Sequence, residues 1–195
     1  MNPFKSVKDY YNYKSFVAQE TLRLEKDGQD PEDLRVKYKD YSEMNLKRME
    51  RSDRTYQPSE EALTQLSKIA ENQIWWVITE LWCGDSAQTL PIIAKLAEAQ
   101  SDKIELRIIL RDDHVDIMDQ YLTNGGRSIP KLIALEESSG KELFTWGPRP
   151  KGAQEVMDKA KNNPELSQED IINQLYVWYP KDKGKSTESE IITLL

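Results

Sequence analysis

Hydrophobic positions follow two different rhythms in this 195-residue chain, and the change comes near Ile74. Before it the spacing is helical. Tyr10, Tyr13, Val17, Thr21 and Leu24 recur with the helical period, and Gly28 closes the run. Pro31 opens a second helical pattern, with Leu34, Tyr38, Tyr41 and Met44 on one face. Pro58-Ser59 opens a third, carrying Leu63, Leu66, Ile69 and Ala70. Six of the nine tyrosines fall in residues 1–60, so these helices are expected to pack aromatic faces onto a neighbouring sheet; a peptide-binding aromatic surface is the alternative.

After the change, Ile74 to Leu81 is almost continuously apolar, the pattern of a strand covered on both faces. A helical run follows from Ala87 to Leu96, then a second strand from Lys103 to Leu110. Val115 to Leu122 reads as a short helix closed by Asn124-Gly125-Gly126. Pro130 to Leu135 is a strand, and Ser138-Ser139-Gly140 turns it into Glu142–Trp146, an antiparallel hairpin. Pro150 suits the first turn of a helix carrying Ala153, Val156, Met157 and Ala160. A last helix carries Ile171, Leu175, Trp178 and Tyr179, and the polar tail from Lys181 to Thr187 is expected to be solvated.

Composition narrows the partners. Hydrophobic residues make up 38% of the chain, enough for a core, and the formal net charge of −7 argues against nucleic acid or an anionic membrane. No apolar run approaches the ~18–20 residues of a membrane span. Residues Met1 to Asp9 lack a signal-peptide core. One cysteine rules out an internal disulfide and fits a reducing cytoplasm. Oligomeric state is left open.

That cysteine carries the chemistry. Trp82-Cys83-Gly84-Asp85-Ser86 joins the first strand to its helix, which sets Cys83 beside unpaired backbone N–H groups and the positive end of the helix dipole. Such a setting favours thiolate over thiol and can make a nucleophile. His114, the sole histidine, could form a Cys–His pair, but a polar residue at a helix start explains it more simply. Asp112, Asp113 and Asp116 read as an acidic first helical turn rather than a metal site.

The arrangement resembles the thioredoxin superfamily, whose active site reads Trp-Cys-x-x-Cys. Pro91 stands five residues after Ser86, where thioredoxins kink the active-site helix, and Ile129-Pro130 stands where they carry a cis-proline. The resemblance covers roughly residues 60–163. It implies a three-layer α/β/α sandwich with a mixed sheet and extra N- and C-terminal helices. The expected division is a helical extension over 1–57, the core over 58–163, and a terminal helix and tail over 164–195. It further implies that the Ile129-Pro130 loop faces Cys83 and pairs with a substrate chain, with Trp82, Gly84 and Asp85 beside it.

Departures from the pattern limit the chemistry. Ser86 replaces the second cysteine, so an attack that releases a mixed disulfide within the chain is excluded. Monothiol exchange remains, with glutathione or another small thiol as co-substrate and protein or small-molecule disulfides as partners. Ser86 would then steady the Cys83 thiolate by a hydrogen bond. Val77 occupies the place of the family's buried aspartate, and Asp85 adds a charge that opposes a thiolate unless solvent screens it. Asp85 is expected to cap the helix. Arg127 and Arg149 could grip the carboxylates of an anionic ligand. A redox-silent binding module built on the same fold is the competing reading.

Overall fold

The computed structural model describes residues 8–27 and 39–195. Two helices come first, α1 (Tyr10–Asp27) and α2 (Lys39–Thr55), then α3 (Glu60–Leu66). The core follows as β1 (Gln73–Thr79), α4 (Gly84–Ala99), β2 (Ile104–Leu110), α5 (Val115–Met118), β3 (Lys131–Glu136) and β4 (Glu142–Trp146). Three helices close the chain: α6 (Lys151–Lys161), α7 (Gln168–Asp182) and α8 (Lys185–Ile192). Gly28 and the segment carrying Pro31, Leu34 and Tyr38 lie outside the described residues.

The sheet is mixed, in the order β2-β1-β3-β4. β1 runs parallel to β2, with Val77 opposite Ile108, and antiparallel to β3, with Val77 opposite Leu132. β3 and β4 form the expected hairpin. Lys8 adds an antiparallel bridge to Ile108 at the outer edge of β2. Successive side chains of β1 point to opposite faces. Trp75 and Val77 join a core built with α1, α2 and α4, while Ile78 joins Ile109, Met118, Ile129 and Ile133 on the other. Both faces are covered, which is why the strand reads as one apolar run.

The N-terminal helices are built into the core. Tyr10, Tyr13 and Val17 of α1 and Met49 of α2 are buried in the same cluster as Trp75 and Leu90. The face expected of α2 is wrong. Tyr41 and Met44 are 38% and 44% exposed, and the buried stripe is Ser42, Asn45, Met49 and Ser52. The helical period is the same, but small and polar residues face inward because α2 packs against the start of α4. There the Asn45 amide donates to the Leu81 carbonyl at 3.0 Å. In α3, Ser59 caps the N-terminus by accepting from Ala62 N–H, and Ala62 and Leu66 face inward. Leu63 is exposed, and the helix stops before Ile69 and Ala70. α5 likewise ends at Met118 rather than Leu122.

The polar tail also departs from expectation. Gly184, at φ +82°, turns the chain after α7, and a Cβ there would stand 2.6 Å from Ile92 Cδ1. α8 then buries Thr187, Glu188, Ile191 and Ile192. The charge of Glu188 is met by the Tyr56 hydroxyl at 2.5 Å and Ser59 N–H at 3.0 Å. Glu190 accepts from Trp146 Nε1 and from Lys151 N–H, so α8 pins β4 and the start of α6 together. Local polarity hid this element because its apolar residues come only at its far end.

Replacing Asn45 with alanine removes the amide that the buried Leu81 carbonyl accepts from and one of the acceptors of Arg48. The variant is expected to lose about 1–3 kcal/mol of stability, read by urea unfolding, with an unchanged far-ultraviolet dichroism spectrum.

Candidate functional site around Cys83

The turn from β1 into α4 puts Cys83 at the N-cap, with φ −75° and ψ 111°, and its sulfur accepts from Ser86 N–H at 3.5 Å. The cysteine is itself the cap, so Asp85 does not fill that role. Opposite, the Ile129–Pro130 peptide is cis, and the Cys83 thiol donates to the Ile129 carbonyl at 3.3 Å. Gly147, at φ +112°, passes so close to the Pro130 carbonyl that a Cβ would meet it at 2.3 Å. That contact seats Trp146-Gly147-Pro148-Arg149 against the same loop.

Cys83 is only 7% exposed and packs among Ile78, Ile109, Met118, Ile129 and Ile133. Burial pushes its thiol up to about 11, and the nearby charge of Asp85 adds to the rise. The Ser86 hydroxyl and the backbone N–H groups of Ser86 and Asp85 act the other way without overcoming it. The helix start therefore does not make a thiolate here: desolvation outweighs the donors. Ser86 is buried, and its oxygen lies 2.6 Å from the Thr79 hydroxyl. Ile129 and Pro130 are buried as well.

Asp85 is not screened by solvent. Its carboxylate accepts from Arg149 Nε at 3.0 Å and Nη2 at 2.6 Å, and from the Tyr179 hydroxyl at 2.6 Å. Arg149 is thus engaged within the chain, as is Arg127, which forms a two-point pair with Asp119. Trp82 lies half-buried with the Arg111 guanidinium 5.0 Å from its ring centre. A Cβ on Gly84 would stand 3.1 Å from the Tyr176 hydroxyl and 3.4 Å from Arg48 Nη1. Arg48 in turn stacks 3.6 Å over the Tyr176 ring. Helices α2 and α7 therefore meet over Gly84 and Asp85. His114 is buried at the N-cap of α5. Among the described residues no three His, Cys, Asp or Glu side chains gather as a metal-binding group.

Reading the sequence missed several residues that shape this site. Tyr13 of α1 is almost wholly buried, and Thr79, Glu80 and Cys83 all act on its hydroxyl, whose pKa burial raises well above the ordinary value. Tyr176 and Tyr179 reach it from α7. Glu80 is 2% exposed, and its Oε1 accepts from Asp112 N–H at 2.9 Å. A buried carboxyl thus stands three residues before Cys83, although Val77 holds the position six residues before. An acidic residue inside the apolar run from Ile74 to Leu81 was the available signal.

Burial pushes Glu80 up to about 7 from the ordinary 4.5, with Asp112 and Asp113 adding to the rise and Arg111 and the Asp112 N–H opposing it. Between those two values the folded state holds a proton that the unfolded chain releases. This contribution to stability is complete below about pH 4.5 and is lost as pH rises through about 7. Glu80→Gln keeps the acceptor for Asp112. It is expected to flatten that part of the stability curve and to raise stability at pH 8 by about 1–3 kcal/mol. Urea unfolding at pH 5 and pH 8 measures it, and an unchanged slope would assign the titration to another group.

A family model described as Thioredoxin matches residues 32–161, well over half of the chain. The chain belongs to the thioredoxin superfamily. Its fold is similar to the crystal structure of a protein of unknown function from Pseudomonas aeruginosa. That match has a TM-score of 0.60 at 17% identity and covers 98% of this chain and 93% of the other. It is similar also to an HIV epitope-scaffold, with a TM-score of 0.58 at 16% identity, covering 98% and 94% of the two chains. At such identity these likenesses concern the fold. No curated protein matches the sequence. Among the described residues no helix is long and apolar enough to cross a membrane.

Proposed function

We propose that this chain uses the thioredoxin fold as a redox-silent binding module, with Cys83 held as an enclosed, protonated thiol. One observation carries the reading: the Cys83 thiol donates to the Ile129 carbonyl with both residues buried. The resemblance assigns the backbone before the proline to a substrate chain, and here the chain's own thiol takes its carbonyl acceptor. The raised thiol pKa, the charge of Asp85 and the absence of a second cysteine support the same reading. A lone cysteine kept as a thiol fits the reducing cytoplasm, where we place the protein.

The test is the pH dependence of Cys83 alkylation in the intact protein. Reactivity is expected to rise only toward about pH 11. At pH 8 the rate should lie about 100-fold below that of a free thiol of pKa ~8.5. Rapid alkylation with an inflection below that reference overturns the reading.

A second reading rests on the ties that hold α7 in place. Tyr179 and Arg149 bond Asp85, and Tyr176 meets Arg48 over Gly84. Were α7 to lift, Cys83 would be hydrated, and the donors at the start of α4 would be left to act on it. Monothiol exchange would then follow. The Cys83 thiolate attacks a disulfide, one sulfur leaves as a thiolate, and glutathione or another small thiol attacks the mixed disulfide to restore Cys83. On this reading Asp85→Asn, which weakens the tie and removes the opposing charge, moves the alkylation inflection to lower pH. It also raises the rate at pH 8 by roughly tenfold or more. An unchanged profile excludes exchange gated by this contact.

A further inference from the structure

Lined in part by Tyr179, a cavity of about 260 Å³ opens between α2, α4 and the junction of α7 with α8. Its polar lining includes Arg51, Gln88 and Lys183, and among the described residues no aspartate or glutamate contributes to it. The Arg51 guanidinium has one partner among the described residues, the Gln88 side-chain oxygen at 2.8 Å. Lys183 has no carboxylate partner among them. Burial and the neighbouring Arg48 lower the pKa of Arg51, as expected of a cation without a counter-charge. The acids nearby are already engaged: Asp85 by Arg149 and Tyr179, Glu188 by Tyr56 and Ser59, and Asp182 by Ser186. In a chain of net charge −7, two cations lining one cavity without an acid among the described residues is a departure from the default.

We propose that this cavity binds a small phosphate-like oxyanion, held by the Arg51 guanidinium, the Lys183 ammonium and the side-chain amide of Gln88. The guanidinium fork matches two oxygens of a phosphate, and the ammonium adds a second positive charge. Gln88 turns its oxygen to Arg51, so its NH₂ is left as a donor. The volume suits a free phosphate or a compact phosphomonoester rather than a nucleotide. Bound there, the anion would bridge α2 to the α7–α8 junction. The site is separate from Cys83, and it holds whether or not the thiol reacts.

Isothermal titration of the full chain with orthophosphate tests this, with ionic strength kept constant by chloride. One saturable site is expected. Arg51→Gln and, separately, Lys183→Gln should each weaken it roughly tenfold. Lys183 is exposed and caps α7 through its backbone N–H, which glutamine keeps, so its variant reports binding even where Arg51→Gln disturbs packing. Glycerol 3-phosphate titrated in parallel distinguishes the two sources: tighter binding than orthophosphate assigns the site to phosphomonoesters, weaker binding to the free ion. No saturable binding at millimolar phosphate, or an affinity unchanged in both variants, overturns the proposal.

Discussion

The carboxylate of Asp85 gathers three donors from two segments outside its own helix, and the state of the site depends on that contact. Two come from Arg149, in the loop after β4, and one from Tyr179, on α7. The tie holds α7 against the first turn of α4, next to the residue that caps it, Cys83. Two groups that could carry negative charge, the carboxylate and the sulfur, share one helix N-terminus. Asp85 has a counter-ion and a hydroxyl donor, while the sulfur is left among isoleucines and a methionine. Desolvation keeps the proton on the sulfur, and the neighbouring carboxylate adds to that effect.

The helices outside the central sheet are what turn a thioredoxin fold into this closed form. Tyr13 of α1 reaches beneath the turn that carries Cys83, and Asn45 of α2 holds the Leu81 carbonyl just before it. α8 fixes β4 and the start of α6 through Glu190. Each contact joins a polar group to the core at a point where the sheet and α4 leave a backbone group or a carboxylate in need of a partner. The additions therefore belong to the same packing problem as the core.

Much of the central fold was legible because it rests on local signals. The shift from helical spacing to continuous apolar runs located β1, α4 and β2, and Ser138-Ser139-Gly140 located the hairpin. Trp82-Cys83, Pro91 and Ile129-Pro130 pointed to the superfamily by their order and spacing. The elements that misled were those whose buried faces are polar. α2 buries Ser42, Asn45 and Ser52, and α8 buries Thr187 and Glu188. Hydrophobic periodicity cannot locate a face whose polar groups are satisfied by partners far along the chain.

The sequence alone determined the chemistry this protein can hold: one thiol, no partner thiol within the chain, and a serine where a resolving cysteine would stand. It determined the strand and helix order of the core as well, because period and turn residues act over a few positions. Only the tertiary structure decided the state of the thiol. Its pKa is set by burial and by a carboxylate whose own partners lie at positions 149 and 179, and such long-range desolvation leaves no local mark. The structure alone also brought Arg51 and Lys183 to one cavity, since that meeting depends on how α7 and α8 fold back across α2 and α4.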